Sequence, residues 1–254
     1  MQIQGKTALI TGAAGGLGQA IAEELSARGA TLVLSGRNRE VLEALADRLG
    51  GRVEIADLER SEDVDRLAAI GAELDIVVAN AGIGNDGPIR ELTTESIDRS
   101  ISVNLRAPIL MTTCFIQAHL AAGTPGHVVL IGSLSGLAAS PQTRMYNATK
   151  FGLRGFGLSV RQDLHGTGIG VSTVEPGFIS DAGMFAQSEV DLPAMVRTKK
   201  PADVGSAVAD AIARDRGEVF VSPIELRMMS TLATVAPGFS ARVQRSLDVA
   251  GRKN

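Results

Sequence analysis

The stretch Thr7-Ala8-Leu9-Ile10-Thr11-Gly12-Ala13-Ala14-Gly15-Gly16-Leu17-Gly18 decides the fold. A short β-type run ends in a glycine-rich turn, and the turn opens a pattern of helical period. Glycine permits a sharp turn and lets a pyrophosphate approach with no Cβ in the way. The helix behind it offers free N–H groups and the positive end of its dipole. The strict GxGxxG spacing fails, because its last glycine after Gly16 and Gly18 would fall on Ile21; the spacing here is GxxxGxG. Alone it is a weak signal, and its place at a first strand–helix junction strengthens it.

Working outward, β-type runs alternate with helical ones along the chain. Strands are expected at Thr7–Thr11, Thr31–Ser35, Arg52–Ala56, Ile76–Asn80, His127–Ile131, Gly170–Glu175 and Glu218–Val221. Helices are expected near Leu17–Arg28, Arg39–Leu49, Ser61–Ile70, Thr94–Ala121, Arg144–His165 and Ala202–Arg214. Strands apolar through their centres, such as Val128–Ile131, belong to a parallel sheet covered on both faces. The expected fold is therefore α/β, a doubly wound open parallel sheet of about seven strands. With no linker or repeat, 1–254 reads as one domain. The run 178–200 is long for a strand–helix connection and is expected to be a substrate lid. Its Met184, Phe185, Leu192, Met195 and Val196 are apolar, as are Leu137, Ala138 and Ala139, which points to an apolar substrate.

Residues 222–254 form a helical extension, with Leu226, Met229, Ala233 and Ala236 at helical spacing and a break at Pro237-Gly238. The pattern resumes at Val243, Leu247 and Ala250. This tail is expected to pack beside the lid or against another subunit rather than on a membrane.

The composition excludes several classes. A net charge of −3 gives no basic face for nucleic acid. One cysteine, Cys114, allows neither an internal disulfide nor a multi-cysteine zinc site, and no metal is expected. Ala107–Thr143 lacks charged side chains, but Gln117, His119, Gly123, Pro125, Gly126 and His127 interrupt it below spanning length. With no signal-peptide pattern either, the expected compartment is the cytoplasm.

The second strand leads into Gly36-Arg37-Asn38-Arg39, with no carboxylate where an NAD site would hold the ribose hydroxyls. Arg37 supplies a guanidinium suited to a 2′-phosphate, which favours NADP(H) over NAD(H). The one tyrosine of the chain, Tyr146, stands four residues before Lys150, one of only five lysines. In a helix the two share a face. An ammonium beside the phenol is expected to lower its pKa toward neutrality, giving a usable proton donor. The same pair also arises by accident on helix surfaces.

Together, TGAAGGLG, Asn80-Ala81-Gly82, Ser133, Tyr146-Asn147-Ala148-Thr149-Lys150 and Pro176-Gly177 resemble, in order and spacing, the short-chain dehydrogenases/reductases. The resemblance runs from Gly5 to about Val221. It implies that Tyr146 is the general acid/base, that Lys150 tunes it and bonds the nicotinamide ribose, and that Ser133 orients the substrate oxygen. Ser135 is a nearby competitor for that role. Asn104 matches the asparagine that holds a water of the proton path. Gly12, Ala14, Gly15, Gly16, Leu17 and Gly18 match the phosphate turn, and Asp57-Leu58 the adenine contact. Asn80, Ala81 and Gly82 match the element that supports the sheet and the adenosine ribose. Pro176, Gly177 and Ile179 match the loop over the nicotinamide. The family threonine after Pro-Gly is missing; Ser180 stands there, followed by Asp181. The resemblance also implies a homodimer or homotetramer. The reading is an oxidoreductase acting on a carbonyl or secondary alcohol of steroid, acyl or aromatic ketone type. The rival is a nucleotide-binding regulator without turnover, which usually lacks the tyrosine or lysine retained here.

Overall fold

The computed structural model describes residues 1–84, 87–180 and 197–246. Seven strands form one parallel sheet: β1 Thr7–Thr11, β2 Thr31–Gly36, β3 Gly51–Ile55, β4 Ile76–Ala79, β5 Gly126–Ile131, β6 Ile169–Pro176 and β7 Glu218–Val221. Their order is β3-β2-β1-β4-β5-β6-β7. The chain runs outward from β1 to β3, then returns to place β4 on the other side of β1. That reversal opens a crevice at the carboxyl ends of β1 and β4, where an open α/β sheet takes its ligand.

The helices are α1 Gly16–Ala27, α2 Arg39–Leu49, α3 Ser61–Ala69, α4 Thr94–Ile101, α5 Ala107–Ala122, α6 Arg144–Asp163, α7 Pro201–Arg214, α8 Ile224–Val235 and α9 Pro237–Ser246. Alternate strand residues serve two cores. Ala8, Ile10, Leu32, Leu34, Val129 and Val174 pack under α1, α2 and α7. Leu9, Val33, Val77, Val128, Leu130 and Val171 pack under α3, α5 and α6. Burial on both faces explains why these strands read as continuous apolar runs.

One expected helix is divided. Thr94–Ala121 becomes α4 and α5, joined by a π-helical turn at Ser102–Arg106. Pro108 has no N–H to give the Asn104 carbonyl, so the regular ladder cannot continue there. The helix widens instead, and the Ala107 N–H reaches back to the Ser102 carbonyl.

The described part of the tail forms two helices, Ile224–Val235 and Pro237–Ser246. Thr234 Oγ1 of α8 donates to the Leu137 carbonyl (3.0 Å). Arg197 pairs with Glu225 of the same helix. Ile224, Met228, Met229, Leu232 and Val235 of α8 remain exposed. The expected apolar residues Met184, Phe185, Leu192, Met195 and Val196, with Asp181, Leu247 and Ala250, lie outside the described residues. Among the described residues, no helix is long and apolar enough to cross a membrane.

His127 of β5 is buried, and its Nε2 shares a hydrogen bond with Ser172 Oγ (2.8 Å). Burial pushes the imidazole down to about 4, against the opposing pull of Asp215. A group depressed on folding supports the fold above its unfolded pKa and withdraws that support as pH falls. Lowering the pH from about 7 to about 5 is therefore expected to cost about 2 kcal/mol through this residue. Urea unfolding at the two pH values, compared with His127→Gln, measures it. Equal pH dependence in the two proteins would remove His127 from this role.

Candidate active site

The residues singled out by the sequence gather at the carboxyl ends of the strands. The turn after β1 bends at Gly12, whose φ is +65°. A Cβ on Gly12 would lie 2.9 Å from Ala81 Cα, and one on Gly18 would lie 2.3 Å from the Gly12 carbonyl oxygen. The turn thus needs glycine at both positions, and it presents bare backbone. Gly15 caps α1 without a side chain and the first turn carries no acid. The leading N–H groups of α1 face the crevice with no helical acceptor of their own. Gln19 steadies the loop by donating from Nε2 to the Ala14 carbonyl (2.9 Å).

Asn80 ties β4 to this turn. Its Nδ2 donates to the carbonyls of Thr11 (2.8 Å) and Gly12 (3.3 Å). The N–H groups of Asn80 and Ala81 both donate to Thr11 Oγ1. The side chain of Asn80 is therefore spent on holding the sheet together. Asp57 follows β3; its Oδ1 accepts the Glu59 N–H (3.1 Å), which shapes the turn containing the buried Leu58.

Arg37 is exposed at the end of β2, with Nη1 3.6 Å from Glu59 Oε1. Glu59 also accepts from Arg99 Nε of α4 (2.7 Å). The sequence reading missed Glu59 and Arg99, because no motif marks them and only the fold brings them to Arg37. An exposed pair of this kind is worth about 0–1 kcal/mol, so Glu59 holds Arg37 only weakly.

On the other side of the crevice, Ser133 caps the turn after β5, and its Oγ accepts the Ser135 N–H (3.1 Å). Ser135 thus supports Ser133. Tyr146 and Lys150 lie one helical turn apart on α6, with Lys150 Nζ 5.6 Å from the tyrosine ring centre. Nζ donates to the Ile131 carbonyl (2.7 Å), not to the phenol. The expected fall in the tyrosine pKa is accordingly not found. Burial pushes Tyr146 up to about 12, aided by the negative charge of Glu175 and opposed by a hydrogen bond from Ser133. Burial also pushes Lys150 down to about 8, and Glu175 holds it partly up.

Asn104 sits buried in the π turn. Its Oδ1 accepts the Ile83 N–H (2.7 Å) and its Nδ2 donates to the Ile83 carbonyl (2.7 Å). A Cβ on Gly82 would be 3.4 Å from Asn104 Oδ1 and 3.7 Å from Lys150 Nζ, ordinary contact distances. Asn104 and Lys150 thus approach the same glycine.

Past β6, the Gly177 N–H donates to the Val221 carbonyl (3.0 Å). Ile179 is buried and forms a parallel bridge with Lys199. Ser180 spends its hydroxyl on the Lys199 carbonyl (3.3 Å).

A sequence profile of the family described as short chain dehydrogenase matches residues 6–192. The chain belongs to the short-chain dehydrogenase/reductase family. The 3-oxoacyl-[acyl-carrier-protein] reductase of Rickettsia felis is 34% identical over 217 residues, covering 82% of this chain and 90% of that one. A short-chain dehydrogenase from Sphingobium yanoikuyae, solved in complex with NADPH, superposes with TM-score 0.78 at 26% identity, covering 96% of this chain and 95% of its own. A bulky-bulky ketone specific alcohol dehydrogenase from Comamonas testosteroni does so with TM-score 0.79 at 26% identity, covering 93% and 94%. The chain is thus an oxidoreductase of this family, acting between an alcohol and a carbonyl with a nicotinamide nucleotide.

Proposed function

We propose that this chain is an NADP(H)-dependent oxidoreductase that interconverts an apolar carbonyl compound with its secondary alcohol, using Ser133, Tyr146, Lys150 and Asn104. The observation that carries the reading is their convergence beside the glycine turn, at the switch point of the sheet. The turn from Gly12 to Gly18 fits a pyrophosphate because it opens α1 with no capping side chain and no acid in the first turn, leaving the leading N–H groups bare. Asp57 and Leu58 border the adenine end, and Pro176, Gly177 and Ile179 border the nicotinamide end. When bound, the nucleotide supplies or accepts the hydride.

The protein's own part is position and proton. Ser133 holds the substrate oxygen against Tyr146, and the phenol gives its proton to that oxygen in the reductive direction. A phenol held at about 12 is fully protonated at neutral pH, which suits a donor. Lys150 and Asn104 lead the replacement proton in from solvent. Two relatives fit an apolar substrate, one named for a 3-oxoacyl group and one for bulky ketones. Leu137 is buried, so it packs the cleft wall from behind rather than lining it. The bonds from α8 to Leu137 and Arg197 support a tail that packs beside the lid 178–200 and narrows the substrate entrance. The exposed apolar side chains Ile101, Leu120 and Phe151, on α4, α5 and α6, support a homodimer or homotetramer.

The test is NADPH consumption against a panel of ketones and aldehydes, including a 3-oxoacyl thioester. Failure of the native chain to reduce any of them would sink the reading. Cofactor choice gives a second expected result. NADPH binds at least about tenfold tighter than NADH, or about 1.4 kcal/mol. Arg37→Asp reverses that order, as titration calorimetry would show. Equal affinities in the native protein would dismiss Arg37 as the phosphate ligand.

A further inference from the structure

One carboxylate of the site has no part in the mechanism above. Glu175 stands in β6, directly before Pro176-Gly177, and is fully buried. Its Oε2 accepts the backbone N–H of Ser133 (2.5 Å). Its Oε1 has no hydrogen-bond partner among the described residues. A buried carboxylate that leaves one oxygen unpaired is costly to the fold, so packing alone does not explain it. The neighbouring strand also makes room for it. A Cβ on Gly132 would lie 2.1 Å from Oε2, so the carboxylate reaches Ser133 only because residue 132 is glycine.

The charged and titratable groups that face Glu175 are Tyr146, Lys150 and Arg154 from α6 and Glu218 from β7. Arg154 is bound to Glu218, with Nε 2.6 Å from Oε1. Lys150 is therefore the cation that Glu175 balances. We propose that Glu175 is a positioning residue for the reaction: it fixes the Ser133 loop through one oxygen, and its negative charge acts on the Tyr146–Lys150 pair. This deepens the oxidoreductase reading and rests on it for the identity of the proton donor.

Two consequences follow in direction. Burial pushes Glu175 up to about 7, so its charge changes in the neutral range. Once ionised, it favours the Lys150 ammonium and opposes the Tyr146 phenolate. Glu175→Gln keeps an oxygen for the Ser133 N–H and removes the charge. Glu175→Ala removes both.

The chain carries one tyrosine and no tryptophan, so its phenolic ultraviolet absorption and emission belong to Tyr146 alone. A carboxylate near a phenol weakens its emission. The native protein, free of nucleotide and substrate, is expected to lose emission as pH rises through about 7. Glu175→Gln is expected to lack that step, and its phenolate band is expected to emerge about one pH unit lower, a tenfold change in the proton equilibrium. With NADPH and a reducible ketone, the alkaline limb of kcat should move the same way while NADPH affinity stays native. Glu175→Ala should lower kcat further, through the loosened Ser133. An unchanged band and kcat profile in Glu175→Gln would overturn the proposal, leaving only the bond to Ser133. Absence of any emission step in the native chain would overturn it without needing a variant. The optical shift without carbonyl turnover in the native chain would instead refute the reaction and leave the electrostatic coupling standing.

Discussion

Replacing Tyr146 with phenylalanine is expected to lower kcat/KM for carbonyl reduction about a thousandfold, the middle of the range for loss of a positioned proton donor. The variant keeps the ring, and with it the packing against Lys150, whose Nζ lies 5.6 Å from the ring centre. It removes only the hydroxyl. Ser133 still polarises the substrate oxygen, but no group in reach delivers a proton to it. Lys150 passes its proton on through the phenol, and without the hydroxyl that route to the substrate oxygen is broken. NADPH affinity should remain within about twofold of native, a difference of under 1 kcal/mol, since the glycine turn and Arg37 are untouched. The loss should therefore fall on kcat. Activity within tenfold of native would mean that the proton comes from elsewhere and that the α6 pair is structural.

What the sequence disclosed depended on how local the cause was. The central strands were legible because they are buried on both faces and carry apolar runs, as β4 and β5 do; β1 and β7 have the bounds that their sequences imply. The split of the fourth helix was not foreseen, although its cause is written at Pro108. A single proline in a long apolar pattern marks a kink, and here it opens the π turn that carries Asn104. The proposed catalytic residues were legible through scarcity and resemblance, since one tyrosine four residues before a lysine is conspicuous in this chain.

The rest of the site depends on contacts between distant strands. Glu175 reads in sequence as the end of a strand, and only the ladder between β5 and β6 brings it to Ser133. The tyrosine pKa was misjudged for the same reason. A shared helix face places Lys150 near the ring, but the carbonyl that takes its ammonium belongs to β5. Arg37 was legible and its partner Glu59 was not, because they come from separate strand–helix connections.

The glycine turn allows a sharp test, because its two tight positions are closed by backbone. Gly18→Ala would place a methyl 2.3 Å from the Gly12 carbonyl oxygen and 2.7 Å from Ala13 Cα. Neither contact can be relieved by turning a side chain. Nor can the Gly12 carbonyl swing away freely, since it accepts the Gly15 N–H (3.1 Å) and Asn80 Nδ2 (3.3 Å). The turn must open, at a cost of about 1–3 kcal/mol in stability by the usual scale of overpacking. Opening it also scatters the N–H groups that the pyrophosphate needs, so NADPH affinity should fall at least about tenfold, or 1.4 kcal/mol. Gly15→Ala is the matched control. Its added methyl would meet only the Gly12 carbonyl oxygen, at 3.4 Å, and its backbone is already extended with φ −79°. That variant should bind NADPH much as the native chain does, because its N–H is retained. Calorimetric titration of both variants, alongside thermal unfolding, separates the outcomes. If Gly18→Ala loses stability but binds NADPH with native affinity, the pyrophosphate does not rest on this turn. If both variants lose affinity equally, the turn is binding through conformational freedom rather than through close approach.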